Sequence, residues 1–307
     1  MDFGRRYDIL VVTGPTASGK TSVAATVAGK LEGEIISADS RQVYRGMNLG
    51  TGKDYDDYVI DGIRIQCHLT DIADPGYKYN VFEYQRDFIR VLTRLRERDV
   101  FPIVCGGSGM YVDSIISGYR LQEVPPDQEL RSELENKSMQ ELVEILSTFK
   151  DLHNTTDTDS KKRVIRAIEI GIFTSRQPVE PAAFPELNPL VIGVLPDRDL
   201  RRKRITERLL KRIDDGMIEE VKQLIDSGVD TETLVYYGLE YKFITLYLTG
   251  RISYNEMVKD LETAIHQFAK RQMTWFRGME KRGVKINWID AELPMDQKVK
   301  KILDLLK

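Results

Sequence analysis

The octet Gly14-Pro15-Thr16-Ala17-Ser18-Gly19-Lys20-Thr21 carries every fixed position of the phosphate-loop pattern G-x-x-x-x-G-K-[ST]. Its glycines let backbone N–H groups turn inward on an anion, and the helix that follows points the positive end of its dipole the same way. Lys20 adds a point charge for terminal phosphate oxygens, and Thr21 offers a hydroxyl to Mg²⁺. A di- or triphosphate group is therefore expected here. The loop alone does not say what is done to it.

A second chemical candidate is Asp39, at the end of the apolar run Glu34–Ala38. In a parallel sheet the carboxyl ends of strands border the ligand crevice, so Asp39 belongs near the loop. Three readings stay open: a Mg²⁺-binding carboxylate, a general base, or a structural cap. Arg41 and Gln42 follow it as polar groups near the same crevice. Basic residues cluster at Lys161-Lys162-Arg163, at Lys270-Arg271, and between Arg198 and Arg212, where eight basic residues face two acidic ones. Such a run is usually a solvated helix face, and can also be a footprint for phosphates. His68 has no second His or Cys at ligand spacing, so it reads as a satisfied polar residue. Trp275 and Phe276 read as core. No Ser-His-Asp or Cys-His arrangement is recognisable.

The elements that must position these groups alternate. A β-branched run at Tyr7–Val12 precedes the loop, and an Ala- and Val-rich helix, Thr21–Leu31, follows it. Further strands are expected at Glu34–Ala38, Ile63–Leu69 and Phe101–Cys105, with a helix capped by Asn80 between the last two. Gly106-Gly107-Ser108-Gly109 reads as a tight turn into a helix at Met110–Ser117. Strands separated by helices predict an α/β fold, a P-loop NTPase-like parallel sheet flanked by helices. From Glu123 the pattern becomes helical, with starts near Asp127 and Ser138 and after Thr156-Asp157-Thr158-Asp159. It closes in the proline-rich stretch Gln177–Pro189. An all-helical insertion over 123–183 is thus expected within a core formed by 1–122 and 184–307. A strand at Pro189–Leu195 returns the chain to the sheet. Two long helices, Asp199–Ser227 and Tyr254–Met279, and a strand near Val284–Trp288 complete the pattern.

The 307 residues are 41% hydrophobic and 30% charged, with a net charge of −3, which argues against a general nucleic-acid coat but hides the local basic clusters. No apolar run approaches the ~20 residues that span a bilayer, and the N-terminus has no signal-peptide pattern. Cys67 and Cys105 both sit in strand-like segments and are expected to be reduced core thiols. Together these features lead to the expectation of a cytoplasmic protein without a membrane partner.

Taken jointly, the motifs resemble the tRNA dimethylallyltransferases, also called tRNA isopentenyltransferases. The phosphate loop is one of them. The stretch Ser37-Ala38-Asp39-Ser40-Arg41-Gln42-Val43-Tyr44-Arg45-Gly46-Met47, with Gly50-Thr51 beyond, is the most specific. His68–Ile72, Gly106–Tyr111, Lys162–Glu169 and Ala269–Arg277 follow in the family's order, so the resemblance covers nearly the whole chain. It implies transfer of a dimethylallyl group from dimethylallyl diphosphate to N6 of the adenosine 3′ of the anticodon, in tRNAs reading codons that begin with U. By the same resemblance Asp39 would be the base, and Lys20 with a Thr21-bound Mg²⁺ would neutralise the leaving diphosphate. Asp39, Ser40, Arg41 and Gln42 would contact the flipped adenosine. Ser108, Arg131, Lys162, Arg163, Val164, Ile165 and Arg166 would touch the anticodon stem-loop of the tRNA. A monomer is expected.

Some residues depart from the family pattern. Cys67-His68 stands where His-His is usual, Ser108 replaces Thr, and His266 stands where Thr is favoured. Tyr237 occupies the position of an Arg or Gln, which leaves Arg204 or Arg208 as candidates to supplement Lys20. A small-molecule kinase on the same core, or an RNA-binding switch without catalysis, would also use a phosphate loop.

Overall fold

The structure, a computed structural model, describes residues 6–149, 158–176 and 184–307. It divides into two compact units, Met1–Gly118 with Pro185–Lys307, and Tyr119–Phe184.

In the first unit six strands form one sheet. They are β1 (Ile9–Thr13), β2 (Glu34–Ser37), β5 (Cys67–His68), β6 (Pro102–Gly106), β7 (Pro189–Leu195) and β8 (Ile286–Asp290). Their order is β5-β2-β6-β1-β7-β8, and every pairing is parallel. The strands read as near-continuous apolar runs because helices cover both faces. From β1 the chain first builds toward β6 and β2, and later places β7 on the other side. That reversal leaves a crevice at the carboxyl end of β1, the switch point where such sheets bind ligands. The helix α1 (Lys20–Leu31) starts there and packs Val23, Ala24, Val27 and Ala28 into a core with Leu10, Val12, Ile35, Ile103 and Ile192.

The expected strand Ile63–Leu69 is divided. Ile63–Arg64 (β4) pairs antiparallel with Val59–Ile60 (β3), through a tight turn in which Asp61 and Gly62 both take positive φ. Only Cys67–His68 joins the main sheet, so the two halves of one alternating stretch serve different partners. Asn80 caps α2 (Val81–Glu97) in a capping box with Glu83. The turn after β6 leads into α3 (Gly109–Ile116).

The helical unit contains α4 (Gln128–Glu135), α5 (Met139–Ser147) and α6 (Lys161–Arg176). It begins four residues before the proline-marked start and ends one residue after the expected end. The start signal Thr156-Asp157 and linker residues 177–183 lie outside the described residues. Leu134, Leu142, Leu146, Val164, Ile165 and Ile168 form its core. Glu169, only 2% exposed at its side chain, accepts from Asp127 N (2.6 Å), from Arg131 Nε and NH2 (2.9 and 2.8 Å) and from Arg166. Burial alone would raise its pKa, but the two guanidiniums and the amide outweigh it and hold the carboxyl below its usual range. Glu169→Ala should therefore cost about 3 kcal/mol, read by denaturant unfolding. Because the folded value is depressed, this contribution is present above the ordinary glutamate range and disappears as pH falls through the lowered value.

The last third holds more helices than expected. The predicted helix Asp199–Ser227 is broken into α7 (Arg198–Asp214) and α8 (Met217–Asp226), with Gly216 between them at φ 101°. That left-handed geometry suits glycine and ends the first helix. The helices α9 (Thr231–Tyr237) and α10 (Leu239–Leu248) follow, then α11 (Tyr254–Lys281), which ends two residues beyond the expected Met279. After β8 comes α12 (Met295–Leu306), which buries Val299, Ile302 and Leu306 against the α1 side of the sheet.

Candidate active site

The loop between β1 and α1 takes the strained geometry of an anion cradle. Gly14, Ala17 and Gly19 all have positive φ, at 153°, 60° and 79°. A Cβ on Gly14 would lie 2.4 Å from the Val194 carbonyl oxygen, so glycine is required there. The N-terminus of α1 has no side-chain cap and no acidic residue in its first turn. Those are the groups that normally satisfy the free amides of a helix start. Ser18 Oγ is buried and has no hydrogen-bond partner among the described residues. A helix start left uncapped beside an unsatisfied hydroxyl is a place built for an anion.

The loop is braced from far along the chain. Gln272 on α11 accepts from Thr16 N (2.8 Å) and donates to Gly107 O (2.8 Å). It thereby ties the cradle to the turn after β6. Lys20 is half-buried, its side chain lying against Gly107. Burial lowers its pKa, the nearby charges of Cys105, Asp39 and Asp54 pull against that, and Arg208 adds to the lowering.

Asp39 follows β2 on the same edge of the sheet. Its carboxylate accepts from Arg41 N at 2.9 Å, which fixes the turn Asp39–Gln42. The turn after β6 supports it. Ser108 Oγ accepts from Ser40 N (2.9 Å) and lies 3.2 Å from Ser40 Oγ, and Gly106 is so close that a Cβ would strike the Ala38 carbonyl. Gln42 donates to Gly52 O at 3.0 Å. The structure thus brings together Gly14–Thr21, Asp39–Gln42 and Ser108 around one crevice.

A protein-family model for IPP transferase matches residues 42–279. The chain belongs to that family. Its relatives include "tRNA dimethylallyltransferase 2" of Bacteroides fragilis, 58% identical over 301 residues and covering 98% of each chain. "tRNA dimethylallyltransferase 1" of Parabacteroides distasonis is 53% identical over 302 residues, again 98% of each. Among solved structures, the full-length tRNA isopentenylpyrophosphate transferase of Bacillus halodurans superposes with a TM-score of 0.71 at 32% identity, over 97% of this chain and 95% of that one. A eukaryotic dimethylallyltransferase acting on tRNA shares the fold, with a TM-score of 0.75 at 20% identity, over 92% and 73%.

Within this IPP transferase the basic run on α7 is not a single solvated face. Arg202, Lys203 and Lys211 are exposed, and Lys211 pairs with Asp215. Arg201, Arg204, Arg208 and Arg212 recur at helical spacing on a half-buried stripe. Arg208 and Arg212 both grip Asp54, at 2.7 and 2.9 Å, and their guanidiniums overlie Gly52. Arg208 is close enough to Lys20 for their charges to repel, whereas Arg204 lies toward Lys298. Of the two candidates to supplement Lys20, Arg208 is the one whose charge acts on it. Tyr237 itself is buried, with its ring 4.4 Å from that of Tyr44.

Of the residues expected to touch RNA in the helical unit, Lys162 and Arg163 are exposed, and Arg163 pairs with Asp159 at 2.8 Å. Val164 and Ile165 are core side chains, so they hold the helix and cannot offer their side chains to RNA. Arg131 and Arg166 hold Glu169 and retain partial exposure, 36% and 39% at the side chain. His68 is satisfied by Glu34 at 2.6 Å, and both cysteines are free thiols. Phe276 is fully buried, while Trp275 covers Gly109 and donates to Asp113.

Several positioning residues carry no signal in the sequence. Glu220 on α8 accepts three consecutive amides, Asn48, Leu49 and Gly50, at 2.8 to 3.1 Å. Lys53, buried, donates to Tyr44 O and Asp71 Oδ1, both at 2.5 Å. These bonds fix the loop 46–54 that presents Gly52 to Gln42 and Asp54 to the arginines. A lone glutamate in an amphipathic helix gives no hint of such a partner. Among the described residues no helix is long and apolar enough to cross a membrane.

Proposed function

We propose that this chain transfers the dimethylallyl group of dimethylallyl diphosphate to N6 of the adenosine 3′ of the anticodon in tRNA. The observation that carries the reading is the placement of Asp39 at the lip of an anion cradle whose half-buried lysine feels its charge. In such a crevice the backbone amides of Ala17–Thr21 and the Ser18 hydroxyl bind the diphosphate, and Lys20 meets its charge. The allylic C–O bond breaks, a C–N bond forms at N6, and the amine proton passes to Asp39. Electrons of the broken bond leave on the diphosphate, where the cations are aimed at the charge as it develops. The exocyclic amine is a poor nucleophile because its lone pair is delocalised into the ring, so a positioned carboxylate is worth much to it. The adenine reaches the site only when flipped from its stack, and Asp39–Gln42 would then face its edge.

Mg²⁺ belongs to the same proposal. The Thr21 hydroxyl, next to Lys20 at the uncapped start of α1, is the group that would hold the ion, with diphosphate oxygens and water as its other donors. When bound, the ion supplies further positive charge against the leaving group.

Arg208 is proposed as the second protein cation for the diphosphate. Arg208→Ala should raise KM for dimethylallyl diphosphate about tenfold to a hundredfold, with KM for tRNA little changed. Steady-state kinetics with each substrate varied in turn would check this. An unchanged KM would remove Arg208 from the site.

The reading as a whole is tested by incubating labelled dimethylallyl diphosphate and Mg²⁺ with unmodified tRNA. Label appearing on the RNA supports it. Release of phosphate from ATP without labelled RNA would replace it with a kinase.

A further inference from the structure

Tyr236, near the end of α9, exposes 50% of its surface beside the turn that carries Asp39. The Arg41 guanidinium lies 5.3 Å from its ring centroid and Lys78 Nζ lies 5.8 Å from it. The ring is held firmly from behind. Its neighbour Tyr237 is fully buried, meets Tyr236 edge-on at 6.1 Å, donates to Tyr77 O (2.9 Å) and accepts from Gly76 N (2.5 Å). Gly238, with φ 148°, then turns the chain into α10, and Arg41 Nε lies 3.8 Å from the position a Cβ would take there. An exposed ring anchored by a buried neighbour and accompanied by two cations is more than a stray surface aromatic.

We infer that the Arg41–Tyr236 pair is a stacking platform for the nucleobase that neighbours the flipped adenosine, with Lys78 beside it for that nucleotide's phosphate. Aromatic rings and guanidinium planes are the two protein surfaces on which unstacked bases lie. The location follows from the backbone. Arg41 belongs to the turn that carries Asp39, its own N–H donating to that carboxylate, and its guanidinium lies over Tyr236, so the platform adjoins the segment that presents Asp39. The accompanying charges favour an RNA base over the hydrocarbon tail of the donor, because two cations beside the ring suit a polyanion. When the adenosine leaves the loop, the adjoining base is left with one bare face, and the platform would cover it. The inference rests on the tRNA reading above.

The test uses the full chain and an anticodon stem-loop RNA with 2-aminopurine placed, in separate molecules, 5′ or 3′ of the target adenosine. Binding to the intact protein should quench fluorescence at one of these positions. Tyr236→Ala and Tyr236→Leu should lose that quenching and raise KM for the stem-loop about tenfold, with KM for dimethylallyl diphosphate unchanged. Tyr236→Phe should keep both. The leucine variant retains apolar bulk, so it covers the case in which the alanine variant is poorly folded. Quenching that survives in the leucine variant, a KM for RNA within twofold of the intact protein, or a phenylalanine variant as damaged as the leucine one would overturn the platform. Failure of the intact protein to label the stem-loop would sink the transferase reading. Normal labelling with no effect of Tyr236 would sink only the platform.

Discussion

Asp39→Ala should lower the rate of transfer by about 10² to 10⁴ while tRNA binding stays near that of the intact protein. The size follows from the role: the carboxylate accepts a proton only as the bond to N6 forms, so its loss is felt in the transition state and little in the ground state. The backbone supports this separation. Asp39 fixes its turn through one bond to Arg41 N, and Ser108 holds the same turn independently through Ser40 N. Asp39→Asn preserves an acceptor oxygen for that amide and provides the cleaner comparison. A rapid single-turnover measurement with saturating RNA, beside a filter-binding isotherm, reads both quantities. Retained turnover in either variant would remove Asp39 from the base role.

Lys20→Ala is expected to cost about 10² to 10³ in kcat/KM for dimethylallyl diphosphate. Lys20 lies half-buried against Gly107, and the cradle's backbone amides and Ser18 hydroxyl are left in place by the substitution. Binding should therefore weaken without vanishing. Burial depresses the lysine's pKa, with Arg208 adding to the effect, and a bound diphosphate favours the charged form. Affinity for the diphosphate should consequently decline as pH rises through the depressed value, and this decline should be absent in Lys20→Ala. A series of isotherms between neutral and alkaline pH would show the difference. An identical pH profile in the two proteins would mean that Lys20 does not meet the phosphates.

Most of the phosphate cradle and the parallel sheet was legible because their signals are local. The loop's residue types are dictated by its own positive φ values, and β1, β2, β6 and β7 are apolar runs whose burial shows in composition. The capping signal at Asn80 was equally local. What escaped reading depends on partners distant in sequence. Ile63–His68 is one stretch of alternating apolar and polar residues, and nothing within it reveals that its halves pair with β3 and β2. The division of α7 from α8 was visible as Gly216 but ambiguous, since a lone glycine can sit inside a helix. Gln272 and Glu220 bridge segments 256 and about 170 residues away, so their roles exist only in the folded chain. The basic run on α7 resolved in an instructive way. Its charges looked like one surface, and the helical repeat sorts them into solvated Arg202, Lys203 and Lys211 and the half-buried stripe Arg201, Arg204, Arg208 and Arg212.

The order of the sheet has a consequence for how this chain emerges from the ribosome. Strand β1 is made first, yet one of its edges is completed by β7, with Leu10 beside Leu190. At typical synthesis rates that edge waits roughly 10 to 40 s for its partner. During this interval the N-terminal strand presents unpaired amides and an apolar flank, the features that recruit holding chaperones or wrong neighbours. The helical unit, by contrast, is finished before β7 appears and has its own core to fold around. A nascent chain halted before residue 189 should thus carry a completed appendage on a half-built catalytic core.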